Sequence, residues 1–381
     1  MHKLETHFIP ESVAPVGTGR IAVMKHDGTG VPVKEVGYIP LGSLDTGLSP
    51  KSRRRRFLAL ADIHLTYKTA NADFGRALDF AADPRNECDF VCIAGDLTAT
   101  GSTGTGGQME LYRDMVAPYD DVFPIYAIAG NHEASYENDL THDTVSPYTG
   151  QNLYYAFQEG GDVYVMLGHY GGYQEGAGGW RPSEFLSAEE LQWLYETLEA
   201  NRNKRCFVFI HELPHEHEVG NPNNLFRDRA PIWYTETSGG AYDNGLGQAV
   251  VALLKHYKNT VLFHGHSHTR FGMQQIAPTA NYSDKYGYKS IHIPSLAAPR
   301  DEDADGSPKL LEDLYARSEG YVVDVYDDCI VLNGRDFGEY DAETGVYKDP
   351  HWLPIATYKI DTPLQTVEAG TFVDETGLIP T

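Results

Sequence analysis

The residues in this chain that could do chemistry stand at the ends of short apolar runs. In Leu262-Phe263-His264-Gly265-His266-Ser267-His268, two histidines sit two apart behind a glycine. Asp62 and His64 follow the run Phe57-Leu58-Ala59-Leu60-Ala61, and Asp96 follows Phe90-Val91-Cys92-Ile93-Ala94 through Gly95. Asn131 and His132, within Gly130-Asn131-His132-Glu133, follow Ile125-Tyr126-Ala127-Ile128-Ala129, and His211 follows Cys206-Phe207-Val208-Phe209-Ile210. Imidazole, carboxylate and amide donors without a thiolate suit Mn, Fe, Zn, Co or Ni, and the set does not choose among them. Singly, each residue has a plainer explanation. Asp62 or Asp96 can cap a loop, Asn131 can form a turn, and His64 or His211 can be a packed, hydrogen-bonded histidine. Five apolar runs that all end in a metal-ligand type make a common metal centre the better account.

The elements that must position these residues follow from the same runs. Their length and β-rich content read as buried strands. Gly265 allows the sharp turn at which His266 and His268 leave the carboxyl edge of a sheet, where open α/β sheets keep their ligand sites. Helical spacing recurs between the strands. It covers Ala72 to Ala82 (Phe74, Leu78, Ala81), Gln108 to Ala117 and Gln248 to Tyr257. Ser187-Ala188-Glu189-Glu190 matches a capping box ahead of Leu191, Leu194 and Leu198. Further strands are expected at Phe123 to Ala129, Asp162 to Leu167, Ile291 to Leu296 and Gly320 to Val325, the last paired with Cys329 to Leu332 as a hairpin. Residues 134–160 interrupt this alternation. Thr98 to Gly104 is a Gly/Thr/Ser loop but not a P-loop, since no Gly-Lys-Ser/Thr follows. The long segments 133–180 and 212–247 both leave from ligand-bearing strand ends and are expected to form lids or specificity walls. Within them His169, His215 and His217 are candidate substrate contacts.

The ordered series D-x-H, G-D, G-N-H-E, H and G-H-x-H resembles the calcineurin-like metallophosphoesterase superfamily, over about Phe57 to Tyr340. It is also similar to the class III cyclic-nucleotide phosphodiesterase subgroup. The resemblance implies a four-layer α/β/β/α sandwich of two mixed sheets flanked by helices. It implies two metal ions, one held by Asp62, His64, Asp96 and His268 and the other by Asp96, Asn131, His211 and His266. Asp96 is the natural bridge, because a carboxylate has two oxygens to share. Two such ions about 4 Å apart neutralise charge on ester oxygens, and a hydroxide bridging them would be the in-line nucleophile. In the family the histidine of G-N-H-E, here His132, stabilises developing charge or protonates the leaving oxygen, a task suited to an imidazole. The implied activity is hydrolysis of a phosphodiester, such as a cyclic nucleotide or a glycerophosphodiester. The alternatives are a phosphomonoesterase on the same core, and a non-catalytic scaffold. One departure stands out. Many relatives carry an acidic residue shortly after G-D, whereas Leu97-Thr98-Ala99-Thr100 has none. Glu133, on an extended segment, is expected to point away from its neighbour, so the partner that orients His132 is unassigned.

Composition bounds the rest. The chain has 381 residues, 41% of them hydrophobic and 12% aromatic, enough for a sizeable core. A formal net charge of −24 repels polyphosphate, so a duplex nucleic-acid platform is not expected, while a local cationic centre can still attract a small phosphate ester. Cys88, Cys92, Cys206 and Cys329 lack zinc-finger spacing and read as free thiols in a reducing compartment. With neither a signal-peptide core nor a run of the ~20 apolar residues of a membrane span, a cytoplasmic location is the default expectation. Residues 1–56 read as a β-rich arm, with short strands at Ile21 to Met24 and Val31 to Val33. It ends in Arg53-Arg54-Arg55-Arg56, a solvated flank rather than a nucleic-acid patch. Residues 57–356 form the expected catalytic domain and 357–381 an extension outside the core. The sequence leaves the oligomeric state open.

Overall fold

The apolar runs become the central strands of two sheets. The computed structural model describes residues 52–67, 69–135, 140–170, 186–212, 214, 246–271, 281–284, 287–299, 317–338, 344 and 350–379, with the backbone of several short strand pairs outside them. The first sheet contains β1 (Arg55–Leu60), β2 (Phe90–Ala94) and β3 (Ile125–Ile128). The second contains β4 (Tyr154–Glu159), β5 (Asp162–Leu167), β6 (Cys206–Ile210), β7 (Thr260–His264), β8 (Tyr282–Ser283) and β9 (Lys289–His292). Strands β10 (Glu319–Val325), β11 (Cys329–Asp336) and β12 (His351–Asp361) complete the first. Its order is β12-β11-β10-β1-β2-β3, and that of the second is β8-β9-β7-β6-β5-β4. Both are mixed. The β1–β2–β3 and β5–β6–β7–β9 neighbours run parallel, while β4, β8, β10, β11 and β12 join antiparallel.

Period-two alternation gives the central strands two apolar faces. Phe57, Phe90, Tyr164, Phe207, Phe209 and Phe263 point between the sheets and are buried there. Phe57 stacks on Phe90 at 5.2 Å and Phe209 on Phe263 at 4.9 Å, so the sheets meet through an aromatic layer. The alternate residues face outward. Leu58, Leu60, Val91 and Ile93 pack under α1 (Ala70–Ala82) and α2 (Gln108–Val116). Val165, Val208 and Leu262 pack under α4 (Ala188–Ala200) and α5 (Leu246–His256). The result is the four-layer α/β/β/α sandwich. Ser187 caps α4 as its spacing predicts, accepting the Glu190 N–H at 3.1 Å.

The segment 134–160 is more regular than its sequence suggests. It contains α3 (His142–Thr149), with Pro147 inside it, and β4. In the arm, Arg20–His26 and Pro32–Pro40 pair as an antiparallel hairpin. Each of the four consecutive arginines has an acidic partner. Arg53 meets Glu87, Arg54 lies 3.7 Å from Asp162, Arg55 lies 3.1 Å from Glu159 and Arg56 lies 2.6 Å from Asp324. Strand β12 runs across position 356/357, and the chain after it lies against the second sheet. Val367 and Ile379 are buried beside α4 and α5, and Asn259 exchanges hydrogen bonds with Gln365. Buried Arg205 ties Thr362, Asp162 and the Tyr326 carbonyl together. Phe372 and Leu378 pack in the same cluster as Val367 and Ile379, Phe372 against Tyr195, His256 and Tyr257, so a tail that reads as polar docks through four apolar side chains as well as backbone and amide bonds. The disposition of residues 212–247 beyond Glu212 and Pro214, including His215, His217, Trp233 and Tyr234, lies outside the described residues up to Leu246.

Candidate metal centre

Strand register places the candidate ligands. Leu60 pairs with Ile93, Ala94 with Ile128, Phe209 with Phe263 and His264 with His292, so the carboxyl ends of β1, β2, β3, β6 and β7 finish at one edge. The chain then turns sharply at each exit. Asp62, His64, Asp96, His266 and His268 all have positive φ, between 48° and 69°, a region that residues with a Cβ rarely adopt. Strained backbone is concentrated where the donors are. The glycines of the motifs serve close approach. A Cβ at Gly130 would lie 2.3 Å from Asp96 Oδ1, and one at Gly265 would lie 2.6 Å from Asp62 Oδ2.

Two buried clusters result, and they share one carboxylate. The donor atoms of Asp62, His64, Asp96 and His268 lie within 4.8 Å of one another, and so do those of Asp96, His211 and His266. In the first, His64 Nε2 is 2.9 Å from His268 Nε2 and 3.6 Å from Asp96 Oδ2, while His268 Nε2 is 3.1 Å from Asp62 Oδ1. In the second, His211 Nε2 is 3.1 Å from Asp96 Oδ2 and 3.1 Å from Asn131 Oδ1, which is 2.9 Å from His266 Nδ1. Backbone carbonyls set two of the rings. The Nδ1 atoms of His211 and His268 face Ala94 O at 2.7 Å and Ala298 O at 3.1 Å, so the tautomer inferred from this network leaves each Nε2 as a lone pair toward the cluster.

This donor set fits a metal centre. With Nδ1 of His211 donating to the Ala94 carbonyl, its Nε2 lies against Asn131 Oδ1 and Asp96 Oδ2, and a cation among the three atoms would satisfy all of them. Charge is shared between carboxylates and imidazoles: burial pulls His211 down, but the Asp96 and Asp62 charges outweigh it and raise the ring well above its usual range. Burial pushes the Asp62 and Asp96 carboxyls up, yet the surrounding histidines outweigh it and hold both below the usual carboxylate range. Burial drives His64 down to about 3 and His266 to about 4, which keeps both rings neutral at neutral pH.

His132 stands at the rim, its side chain 29% exposed and its Nε2 3.8 Å from Asp96 Oδ2. Burial pulls its pKa down, but the Asp96 charge and the Ala99 carbonyl prevail and raise it. The partner that orients it is that carbonyl, 2.6 Å from Nδ1, and not a carboxylate. The Glu133 carboxylate points away from the His132 ring, as expected, but for a different reason. Glu133–Ser135 form a single 3₁₀ turn instead of an extended segment. The Glu133 carboxylate folds back to accept the N–H of Gly130 at 2.8 Å, the N–H of Thr98 at 2.9 Å and the Thr98 hydroxyl at 3.0 Å.

The structure brings the seven candidate ligands together and sets His169 apart from them. His169 is buried, its Nδ1 2.9 Å from Glu212 Oε1, and its Nε2 has no partner among the described residues. His215 and His217 are outside the described residues. The sequence reading assigned Glu133 no partner and passed over Glu212 and Tyr67, whose ring stacks on His64 at 4.9 Å. Glu212 could have been found from its place directly after His211. The other two depend on turns that no local pattern announces.

The family model described as calcineurin-like phosphoesterase matches residues 55–270. Among solved structures, GAP50, the anchor in the inner membrane complex of Plasmodium, is 13% identical and aligns over 86% of this chain and 95% of its own, with a TM-score of 0.47. A purple acid phosphatase from yellow lupin (Lupinus luteus) seeds is 13% identical over 81% of this chain, with a TM-score of 0.45, and the match spans only 54% of the lupin chain. Vacuolar Protein Sorting 29 from Cryptosporidium parvum is 10% identical over 81% of this chain and 98% of its own, with a TM-score of 0.35.

Proposed function

The chain belongs to the calcineurin-like phosphoesterase family, and from that premise we propose that it hydrolyses a small phosphate ester, a diester in preference to a monoester, at a centre of two metal ions. The observation that carries the reading is the sharing of Asp96 between two buried donor clusters. Asp62, His64, His268 and Asp96 would hold one ion, and Asn131, His211, His266 and the same Asp96 would hold the second; Asp96 Oδ2 faces both His64 and His211. Ions of the Mn, Fe, Zn, Co or Ni class would supply Lewis-acid neutralisation of the ester oxygens and acidify water at the site.

The chain's own residues do the rest. The carbonyls of Ala94 and Ala298 fix the rings of His211 and His268, and the His266 N–H bonded to Asp62 at 2.9 Å holds that carboxylate in place. His132, with Nδ1 committed to Ala99, has Nε2 left to hold a proton beside the departing oxygen. His169, oriented by Glu212, is a candidate contact for the remainder of the substrate. The charge of −24 supports the diester, since a monoanion meets less repulsion than a dianion on its way in.

The test is metal content by ICP-MS, paired with hydrolysis of bis-p-nitrophenyl phosphate and p-nitrophenyl phosphate in Mn²⁺. Two ions per chain with diester turnover is the expected result. Turnover of the monoester alone would transfer the assignment to a phosphatase. No bound metal and no turnover after reconstitution would defeat it.

A further inference from the structure

Two loops carry the donors nearest His132, and a single buried side chain ties them together. Glu133 is 3% exposed. Its Oε2 accepts the Gly130 N–H from the loop that bears Asn131 and His132, and its Oε1 accepts both the N–H and the hydroxyl of Thr98 from the loop that bears Asp96. Thr98 Oγ1 also accepts the Gly101 N–H at 2.8 Å, which closes a turn over Thr98-Ala99-Thr100-Gly101. That turn is pressed onto Glu133, for a Cβ at Gly101 would lie 2.5 Å from Glu133 Cα. The Ala99 N–H is spent on Leu65 O at 3.1 Å. The Ala99 carbonyl belongs to the next peptide unit, whose N–H, that of Thr100, donates to Gln108 Oε1 at 2.8 Å, and it points at His132 Nδ1.

We propose that Glu133 is a positioning residue, which through Thr98 holds the Ala99 carbonyl that orients the His132 ring. This rests on the reading of His132 as the residue that serves the departing oxygen. The chain has no acidic side chain after Gly95-Asp96 to orient His132 directly. A neutral carbonyl performs that task, and a carboxylate one layer further out fixes the carbonyl. A half-buried ring with one hydrogen bond at Nδ1 is only as well placed as that acceptor. Displacement of a reacting group by about 1 Å costs on the order of 100-fold in rate.

The experiment uses the full-length, zinc-reconstituted chain and the variants Thr98→Val, Thr98→Ser, Glu133→Gln and His132→Ala. Thr98→Val is isosteric and removes only the hydroxyl, so it remains informative if Glu133→Gln folds poorly. The first readout is the imidazole N–H resonance of His132 Nδ1, assigned by its loss in His132→Ala. It is expected to be sharp and exchange-protected in the wild type and Thr98→Ser, and broadened or lost in Thr98→Val and Glu133→Gln. The second is steady-state hydrolysis of phenyl and p-nitrophenyl esters. Thr98→Val and Glu133→Gln should lower kcat about 10- to 100-fold on the phenyl ester, whose poor leaving group needs the proton, and less on the p-nitrophenyl ester, with KM and metal content little changed. A purely structural role would lower stability and metal content without distinguishing the two leaving groups. An unaltered Nδ1 resonance in both variants would overturn the proposal whatever the rates. Unimpaired turnover of both esters by His132→Ala would instead remove the assigned role of His132, and the resonance would still decide whether Glu133 positions it.

Discussion

Gly130→Ala asks how closely two ligand loops must approach. The new Cβ would lie 2.3 Å from Asp96 Oδ1, 2.4 Å from Asp96 N and 3.0 Å from Asp96 Cγ. Ordinary contact between such atoms is about 3.5 Å, so the turn must retreat by roughly 1 Å. Neither obstacle can yield cheaply. One is backbone, and the other is a carboxylate held by the His132 N–H at 2.9 Å. Overpacking of this kind costs about 1–3 kcal/mol, which in a domain of this size lowers Tm by a few degrees. The functional cost is larger, because Asn131 and His132 travel with the turn and a shift of about 1 Å is worth on the order of 100-fold in rate. The expected signature is therefore asymmetric: a modest loss of Tm by calorimetry, reduced metal content by ICP-MS, and a loss of about two orders of magnitude in kcat on bis-p-nitrophenyl phosphate. Gly150→Ala is the control. Gly150 has positive φ but open space around it, at the end of α3, so its variant should lose stability and keep activity. A Gly130→Ala protein with wild-type Tm, metal content and kcat would show that the loops are not packed as described.

Other outcomes follow from single side chains. Asp96→Asn should lower bound metal from about two ions to below one, whereas Asn131→Ala should cost one ion only; equal losses would contradict a shared carboxylate. Gly75→Ala, in the middle of α1 with nothing within 4 Å of the added Cβ, should stabilise the chain by about 0.5–1 kcal/mol in urea unfolding. Glu190 is buried, and burial pushes its carboxyl well above the usual range, so between the two pKa values the native state keeps a proton that the unfolded chain has released. The contribution of Glu190 to stability should accordingly fall as pH rises above about 4.3, by up to about 1.4 kcal/mol per pH unit until the folded pKa is passed. Glu190→Gln should be the more stable protein at pH 8, with the difference shrinking toward pH 4; a difference independent of pH would refute this.

The legible part of this molecule is whatever depends on near neighbours in sequence. Each strand run precedes its ligand by one to four residues, and period-two alternation already separates Phe57 from Leu58 and Phe207 from Val208. The site was therefore readable as a list of residues. Helix α3 was not. His142–Thr149 buries only Val145 and carries Pro147, so it shows no apolar stripe. Strand β12 escaped because it sits at the edge of its sheet, and its pairing with β11 is not written in its own residues. The destination of Glu133 was not legible for a related reason. Its direction depends on a 3₁₀ turn, and its partner Thr98 lies 35 positions away. The acceptor for His132 is a main-chain carbonyl, which every residue has and no sequence can mark out.

The left-handed backbone beneath Asp62, His64, Asp96, His266 and His268 has a consequence for how such a site persists. Glycine at any of these five positions would release about 1 kcal/mol or more of steric strain. Selection for a sturdier scaffold alone would thus push the same five positions toward glycine and erase the donors. Retaining three imidazoles and two carboxylates there amounts to a standing load on stability, carried by the twelve strands behind it. A lineage freed from the chemistry should lose its ligands at these turns first, and become more stable as it does so.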